Sequence, residues 1–145
     1  MFLGRESNRI DAKGRLAIPA KFRETVGQGA RVVVTRKVLD PCLEIFPESH
    51  WKAFMERLQG LSQVKPEVRR YRRLVYSGAE ACNLDRQGRI LIPAHLREYA
   101  GLTQDTVLVG NGDTIELWDA ERFDTEMGGD MDANQLADTL AELGL

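Results

Sequence analysis

Residues 11–24, DAKGRLAIPAKFRE, return in altered form as DRQGRILIPAHLRE at residues 85–98. At an offset of 74 the two strings agree at Asp11/Asp85, Gly14/Gly88, Arg15/Arg89, Ile18/Ile92, Pro19/Pro93, Ala20/Ala94, Arg23/Arg97 and Glu24/Glu98. Chance does not supply that agreement. A chain of 145 residues ordinarily folds around one core of its own, without metals or disulfides. The repeat therefore implies two half-domains that share a single core.

Local chemistry gives each copy the same order of elements. An extended segment, RESNRI in one copy and SGAEACNL in the other, leads into Asp-x-x-Gly. Asp at the first position and Gly at the fourth are the residue choices of a type I turn. The short apolar strings RLAI and RILI follow, as strands buried in a small barrel would, and turn plus flanking runs read as a β-hairpin. Pro19 and Pro93 then stand where a helix begins, since the first turn needs no amide hydrogen there. Helices over AKFRETVG and AHLREYAG are expected to stop at Gly27 and Gly101. Phe22 with Val26, and Leu96 with Ala100, are spaced to face the core together.

A second strand pair completes each copy, RVVVTRK with CLEIF and TVLVG with TIELW, the latter joined by the turn residues GNGD. New helices are expected near Pro47-Glu48 and Asp119-Ala120. The reading divides the chain into a first repeat at 5–47, a helical connection at 48–75, a second repeat at 76–119 and an acidic helical tail at 120–145. In the connection, Trp51, Phe54, Met55 and Leu58 recur at intervals of three and four, an apolar stripe suited to the core or to a subunit contact. The fold class is α+β, mainly β.

Hydrophobic residues make up 43% of the chain and charged residues 29%, proportions of a globular protein rather than a disordered one. No apolar run reaches membrane-spanning length and the first ten residues carry early charge, so a cytoplasmic location without membrane attachment is expected. Cys42 and Cys82 are far apart and form no CxxC pair; free thiols are expected. The net charge of −2 hides an asymmetry. Residues 1–100 hold 19 Lys and Arg against 11 Asp and Glu, whereas residues 101–145 hold Arg122 alone against 11 acids. A basic body with an acidic tail permits a local anion-binding face despite the overall balance.

Catalysis finds little support. The chain has two histidines, His50 and His95, with no GxSxG elbow, no phosphate-binding glycine loop and no paired-cysteine metal spacing. Ser49 beside His50 reads as a helix cap next to a surface histidine. No enzyme activity, cofactor or metal is expected. The turns are more informative, because they concentrate cations where side chains can leave the surface. Lys13 and Arg15 flank Gly14; Arg86 and Arg89 bracket Gln87-Gly88. Such groups contact phosphates, Arg also pairs with guanine in the major groove, and a two-stranded ribbon fits that groove. Asp11 and Asp85, with Gly14 and Gly88, are expected to shape the turns, and their carboxylates could also simply pair with Arg15 and Arg89. Four further cations, Arg69, Arg70, Arg72 and Arg73, spread around a helix whose apolar side carries Val68, Tyr71 and Val75, and read as a solvated face.

From the opening MFLG, through both D-x-x-G-R turns and both I-P junctions, to GLTQDTVLVG and IELWD, the chain resembles the MraZ family, bacterial transcriptional regulators built from two SpoVT-AbrB-type repeats. The resemblance implies a swapped-hairpin, AbrB-like double-split β-barrel assembled by the two repeats, with flanking helices. It further implies a ring-shaped homo-oligomer that binds double-stranded DNA at short direct repeats, represses the promoter of the division and cell-wall gene cluster, and associates with the nucleoid. The family's D-x-x-x-R motif falls on Asp11, Arg15, Asp85 and Arg89. Lys13 and Arg15 are the leading candidates for DNA contact, Arg86 and Arg89 the secondary ones, because Gln87 stands where the first turn has Lys13. The competing class is an oligomeric interaction or antitoxin-like module whose turns are structural and which binds no specific DNA.

Overall fold

A computed structural model describes residues 1–27 and 29–145. Its elements repeat in the order strand, strand, helix, strand, strand. The first set is β1 (Arg5–Arg9), β2 (Arg15–Ala17), α1 (Ala20–Val26), β3 (Arg31–Lys37) and β4 (Cys42–Pro47). Two helices follow, α2 (Glu48–Gln59) and α3 (Pro66–Gly78). The second set is β5 (Glu80–Asn83), β6 (Arg89–Leu91), α4 (Ala94–Ala100), β7 (Asp105–Asn111) and β8 (Thr114–Asp119), ahead of α5 (Ala120–Gly128) and α6 (Ala133–Glu142).

Pairing mixes the two copies. Six strands form one antiparallel sheet in the order β1-β7-β8-β4-β3-β5, and β2 pairs with β6 in a separate two-stranded ribbon. Each copy thus lends its first strand to the other: β1 aligns Arg5 with Val109 and Arg9 with Asp105, while β5 aligns Cys82 with Val32. The hairpin expected from turn and flanking runs is corrected here. Between β1 and β2 the ladder consists of the single Ile10–Leu16 bridge. Beyond it the backbone groups of β1 are taken by β7, and the Asn8 side chain donates to Ala17 O at 2.6 Å, holding the two strands together without a ladder. At the equivalent place in the other copy, the Cys82 thiol faces Leu91 O at 3.6 Å. The architecture is mixed α+β with antiparallel pairing; β1 and β5 are the sheet's outer strands, so the ladders do not close it into a barrel.

The sheet is covered on both faces, which explains why β3 is buried over four consecutive residues rather than at alternate ones. Val32 and Val34 face the main core with Leu43, Ile45, Leu108, Ile115 and Leu117, under a lid made of the ribbon, α1 and α4. The ribbon contributes Leu16 and Ile90; the short helices contribute Phe22, Leu96 and Ala100. Val33 and Phe46 face the other way, where Trp51 and Leu58 of α2 and Val75 of α3 cover them. Phe54 and Met55 pack against this cluster, so the stripe in the helical connection is core within the chain. A third cluster joins Cys42, Val107 and Trp118 to Phe123 of α5.

Local signals place the helix ends. Gly27 and Gly101 follow α1 and α4 with positive φ, of 98° and 61°. Asp119 caps α5 by accepting the Arg122 amide, and Asp132 caps α6 by accepting those of Asn134 and Gln135. Ser49 is no cap: α2 starts one residue before it, behind Pro47, and has no side-chain cap. Both thiols are free; Cys42 is fully buried, whereas Cys82, on an edge strand, is half-exposed. Burial pushes both thiols up from their ordinary pKa. Among the described residues no helix is long and apolar enough to cross a membrane.

Candidate functional site

Each Asp-x-x-Gly-Arg turn is closed by its own side chains. Gly14 N–H donates to Asp11 O at 3.0 Å and Asp11 N–H to Arg15 O at 2.9 Å. Asp11 Oδ1 accepts the amides of Lys13 and Arg15, both at 2.9 Å, and Oδ2 accepts Arg15 Nε at 2.9 Å. The second turn copies this: Asp85 Oδ1 accepts Gln87 and Arg89 amides at 2.9 Å, and Oδ2 accepts Arg89 Nε at 2.9 Å. The Arg15 amide is the largest influence that holds the Asp11 carboxyl below its usual pKa; partial desolvation opposes it, and the Arg15 side chain and Lys13 amide add to it. Asp85 is lowered in the same way, chiefly by the Arg89 amide. The ion pairs that the sequence allowed are therefore present, and they orient Arg15 and Arg89 rather than bury them: the two side chains remain 37% and 30% exposed.

The ribbon determines how the turns face. In the β2–β6 ladder Arg15 stands opposite Leu91, Leu16 opposite Ile90, and Ala17 opposite Arg89. Strand alternation sends Leu16 and Ile90 into the core and leaves Arg15, Ala17, Arg89 and Leu91 on the outer face. Because the strands are antiparallel, the two turns lie at opposite ends of this face, with one arginine at each end. Leu91 is 55% exposed. Lys13 and Arg86 are exposed on the turns themselves. All four cations named from the sequence thus belong to one ribbon and its two turns.

Two arginines whose direction the sequence leaves open also reach this region, each from the other copy. Arg97 of α4 packs beneath Gly14, and Arg23 of α1 beneath Gly88. Shallow grooves result, one bordered by Asp11, Ala12, Arg97 and Glu98, the other by Asp85, Arg86, Arg23 and Glu24. The recurrence of Arg23 and Arg97 at the same offset as the turns is the sequence signal that marks them. By contrast, the α3 cations are remote from the ribbon: Arg69 donates to Val64 O at 2.9 Å, and Arg72 to Ser62 O at 3.2 Å and Gln63 Oε1 at 2.8 Å, tying down the α2–α3 connection. His50 stands 3.5 Å from Asp113. Among the described residues no three His, Cys, Asp or Glu side chains come together in a way that could hold a metal.

Residues 1–74 and 75–139 match the protein family described as "MraZ protein, putative antitoxin-like". The chain belongs to the MraZ family. A relative from Lachnoclostridium phytofermentans is 43% identical over 145 residues, 100% of this chain and 99% of that protein. Relatives from Symbiobacterium thermophilum and Heliobacterium modesticaldum are 50% identical over 121 residues and 44% over 123, covering 83% and 85% of this chain and 86% and 84% of theirs. All three MraZ relatives are named "Transcriptional regulator MraZ". Among solved structures, the solution structure of PHS018 from Pyrococcus horikoshii aligns with this MraZ chain at a TM-score of 0.34 and 18% identity, over 81% of this chain and 88% of that one.

Proposed function

We propose that this chain is a transcriptional regulator that binds double-stranded DNA sequence-specifically through the outer face of its β2–β6 ribbon. The observation that carries the reading is the pairing of Arg15 and Arg89 at opposite ends of one exposed ribbon face, each aimed by its own aspartate. A two-stranded ribbon is narrow enough for the major groove, and an arginine whose Nε is held can still offer its terminal nitrogens to guanine or to phosphate. Arg15 and Lys13 are the leading contacts, Arg86 and Arg89 the secondary ones. Asp11, Gly14, Asp85 and Gly88 shape the turns and do not approach the anionic backbone.

The target in this reading is the promoter of the division and cell-wall gene cluster, repressed through short direct repeats, and the protein works in the cytoplasm on the nucleoid. The names of the relatives support regulation of transcription. Ribbon and exchanged edge strands together would form the swapped-hairpin, double-split barrel. Each ribbon offers few cations, enough for weak, salt-sensitive binding. A ring-shaped homo-oligomer would link several ribbons, raise the effective concentration of each next contact and favour DNA whose repeats have the matching spacing.

The description of the family as "putative antitoxin-like" favours one other reading, an oligomeric interaction module without specific DNA binding. One experiment separates the two: binding of the purified protein to the DNA upstream of its own gene and to scrambled DNA of equal length, across a salt series. The regulator prefers its own DNA and loses affinity as salt rises. Equal binding at every salt concentration would sink that reading and favour the module.

A further inference from the structure

Arg23 and Arg97 are placed in a way their own copies do not explain. A Cβ built on Gly14 would sit 3.0 Å from Arg97 Cζ and 3.1 Å from its Nε; one built on Gly88 would sit 2.5 Å from both Cδ and Nη1 of Arg23. Each guanidinium therefore occupies the space that any side chain on the turn glycine would need. The Nε atoms of both are buried, with no hydrogen-bond partner among the described residues. Neither side chain makes an ion pair among the described residues. A buried, unpaired N–H of a charged group is costly, and a fold that carries it twice, at the same offset as the turns, obtains something for it. The gain visible here is contact: a flat cation packed against a turn whose glycine leaves room for it.

We propose that Arg97 is the positioning residue for the first turn and Arg23 for the second, so that each turn is held from beneath by a helix of the opposite copy. Neither turn is then a self-sufficient unit. Turn one needs α4 and turn two needs α1, and the strand exchange of the sheet is matched by an arginine exchange at the ribbon. This deepens the DNA-binding reading, on which its consequence for affinity rests; the support of the turns themselves does not depend on DNA.

The test uses the full chain with Arg97→Ala and Arg23→Ala, read by hydrogen exchange in peptides spanning residues 11–15 and 85–89. Arg97→Ala is expected to speed exchange in the first turn about tenfold while leaving the second within about twofold, and Arg23→Ala to do the reverse. On DNA, Arg97→Ala should weaken binding alone but add less than about twofold to Arg15→Ala, because both act through one turn. Arg97→Lys keeps a cation on a flexible stem and serves if the alanine variant does not fold; it should loosen the same turn, to a smaller extent. Equal loosening of both turns, or of neither, would overturn the proposal. So would a further loss of affinity on top of Arg15→Ala with the salt slope reduced by about one, which is the signature of a direct phosphate contact. If the wild type prefers no DNA, the exchange measurement still decides whether the turns are supported across copies.

Discussion

Asp11 and Arg15 are joined twice, Oδ1 to the arginine's backbone amide and Oδ2 to its Nε, each at 2.9 Å. One carboxylate thus fixes both the path of the chain and the direction of the side chain that leaves it. Asp85 and Arg89 repeat the arrangement across the ribbon. An arginine held in this way has given up part of its rotamer freedom before any ligand arrives, which lowers the entropic cost of contact.

Arg15→Ala should therefore weaken binding to the upstream DNA by about tenfold or more, the value of a lost arginine-to-base or charged phosphate contact, and leave the fold intact. Arg15→Lys is expected to recover less than half of the loss on the free-energy scale, because an ammonium cannot bond Asp11 and present a planar fork at once. Fluorescence anisotropy on labelled DNA, with the melting temperature as control, measures both. Full affinity in the lysine variant would mean that the held geometry is irrelevant.

The same carboxylates give a pH dependence of definite sign. Asp11 and Asp85 titrate below the ordinary aspartate value in the folded chain. Their contribution is complete above the unfolded value of about 4 and fades as pH falls through the lowered folded value. An Asp11→Asn, Asp85→Asn double variant should be less stable at neutral pH and lose less than the wild type on acidification. Melting curves from pH 7 downward should therefore converge below about pH 4. Parallel curves would show that the turn carboxylates do not contribute.

What the sequence made legible follows the range of the interactions involved. Turns, helix stops and the β3–β4 and β7–β8 pairs depend on neighbours a few residues apart, and Asp11, Gly14, Gly27 and Gly101 announce them. The partners of β1 and β5 are not local: Arg5 pairs with Val109, and period-two alternation states which face is buried, never which strand lies alongside. For that reason a hairpin was the natural expectation where only the Ile10–Leu16 bridge forms. Arg15 and Arg89 were readable because the repeat carries both, and Lys13 and Arg86 because they stand in the same turns; that Arg15 and Arg89 share one ribbon face required the β2–β6 register. Arg23 and Arg97 recur just as plainly, yet a helix of seven residues does not reveal which copy its arginine will meet.

Glycine at the two turns can be ranked by what surrounds it. Gly14 and Gly88 have φ of +88° and +71°, so alanine is strained at both. At Gly88 the added methyl would lie 2.5 Å from Arg23 Cδ and Nη1, so the whole side chain that supports the turn must be displaced; at Gly14 it meets Arg97 Cζ and Ile92 O at 3.0 Å, which a shift of a few tenths of an ångström relieves. Gly88→Ala should accordingly cost about 2 kcal/mol or more and Gly14→Ala about 1 kcal/mol. Chemical denaturation of the two variants decides the order, and a smaller loss at Gly88 would show that Arg23 moves aside freely and does not support the turn.

The C-terminal helix offers a separation of stability from charge. No residue of α6 is buried, so its removal takes nothing from the three apolar clusters. Deleting residues 130–145 does remove Asp130, Asp132, Asp138 and Glu142 and no cation. A chain ending at Gly129 should melt within about 2 °C of the full protein, since surface changes away from packed features cost little. Its affinity for any DNA should rise, most at low salt, because four fewer carboxylates repel the polyanion and their long-range effect is screened as the Debye length shortens. Preference for the upstream DNA over scrambled DNA should stay the same, as the ribbon is untouched. A drop in melting temperature of about 5 °C or more would instead mean that α6 packs against something in solution, and the apolar side carrying Leu136 and Leu140 would be the surface to map.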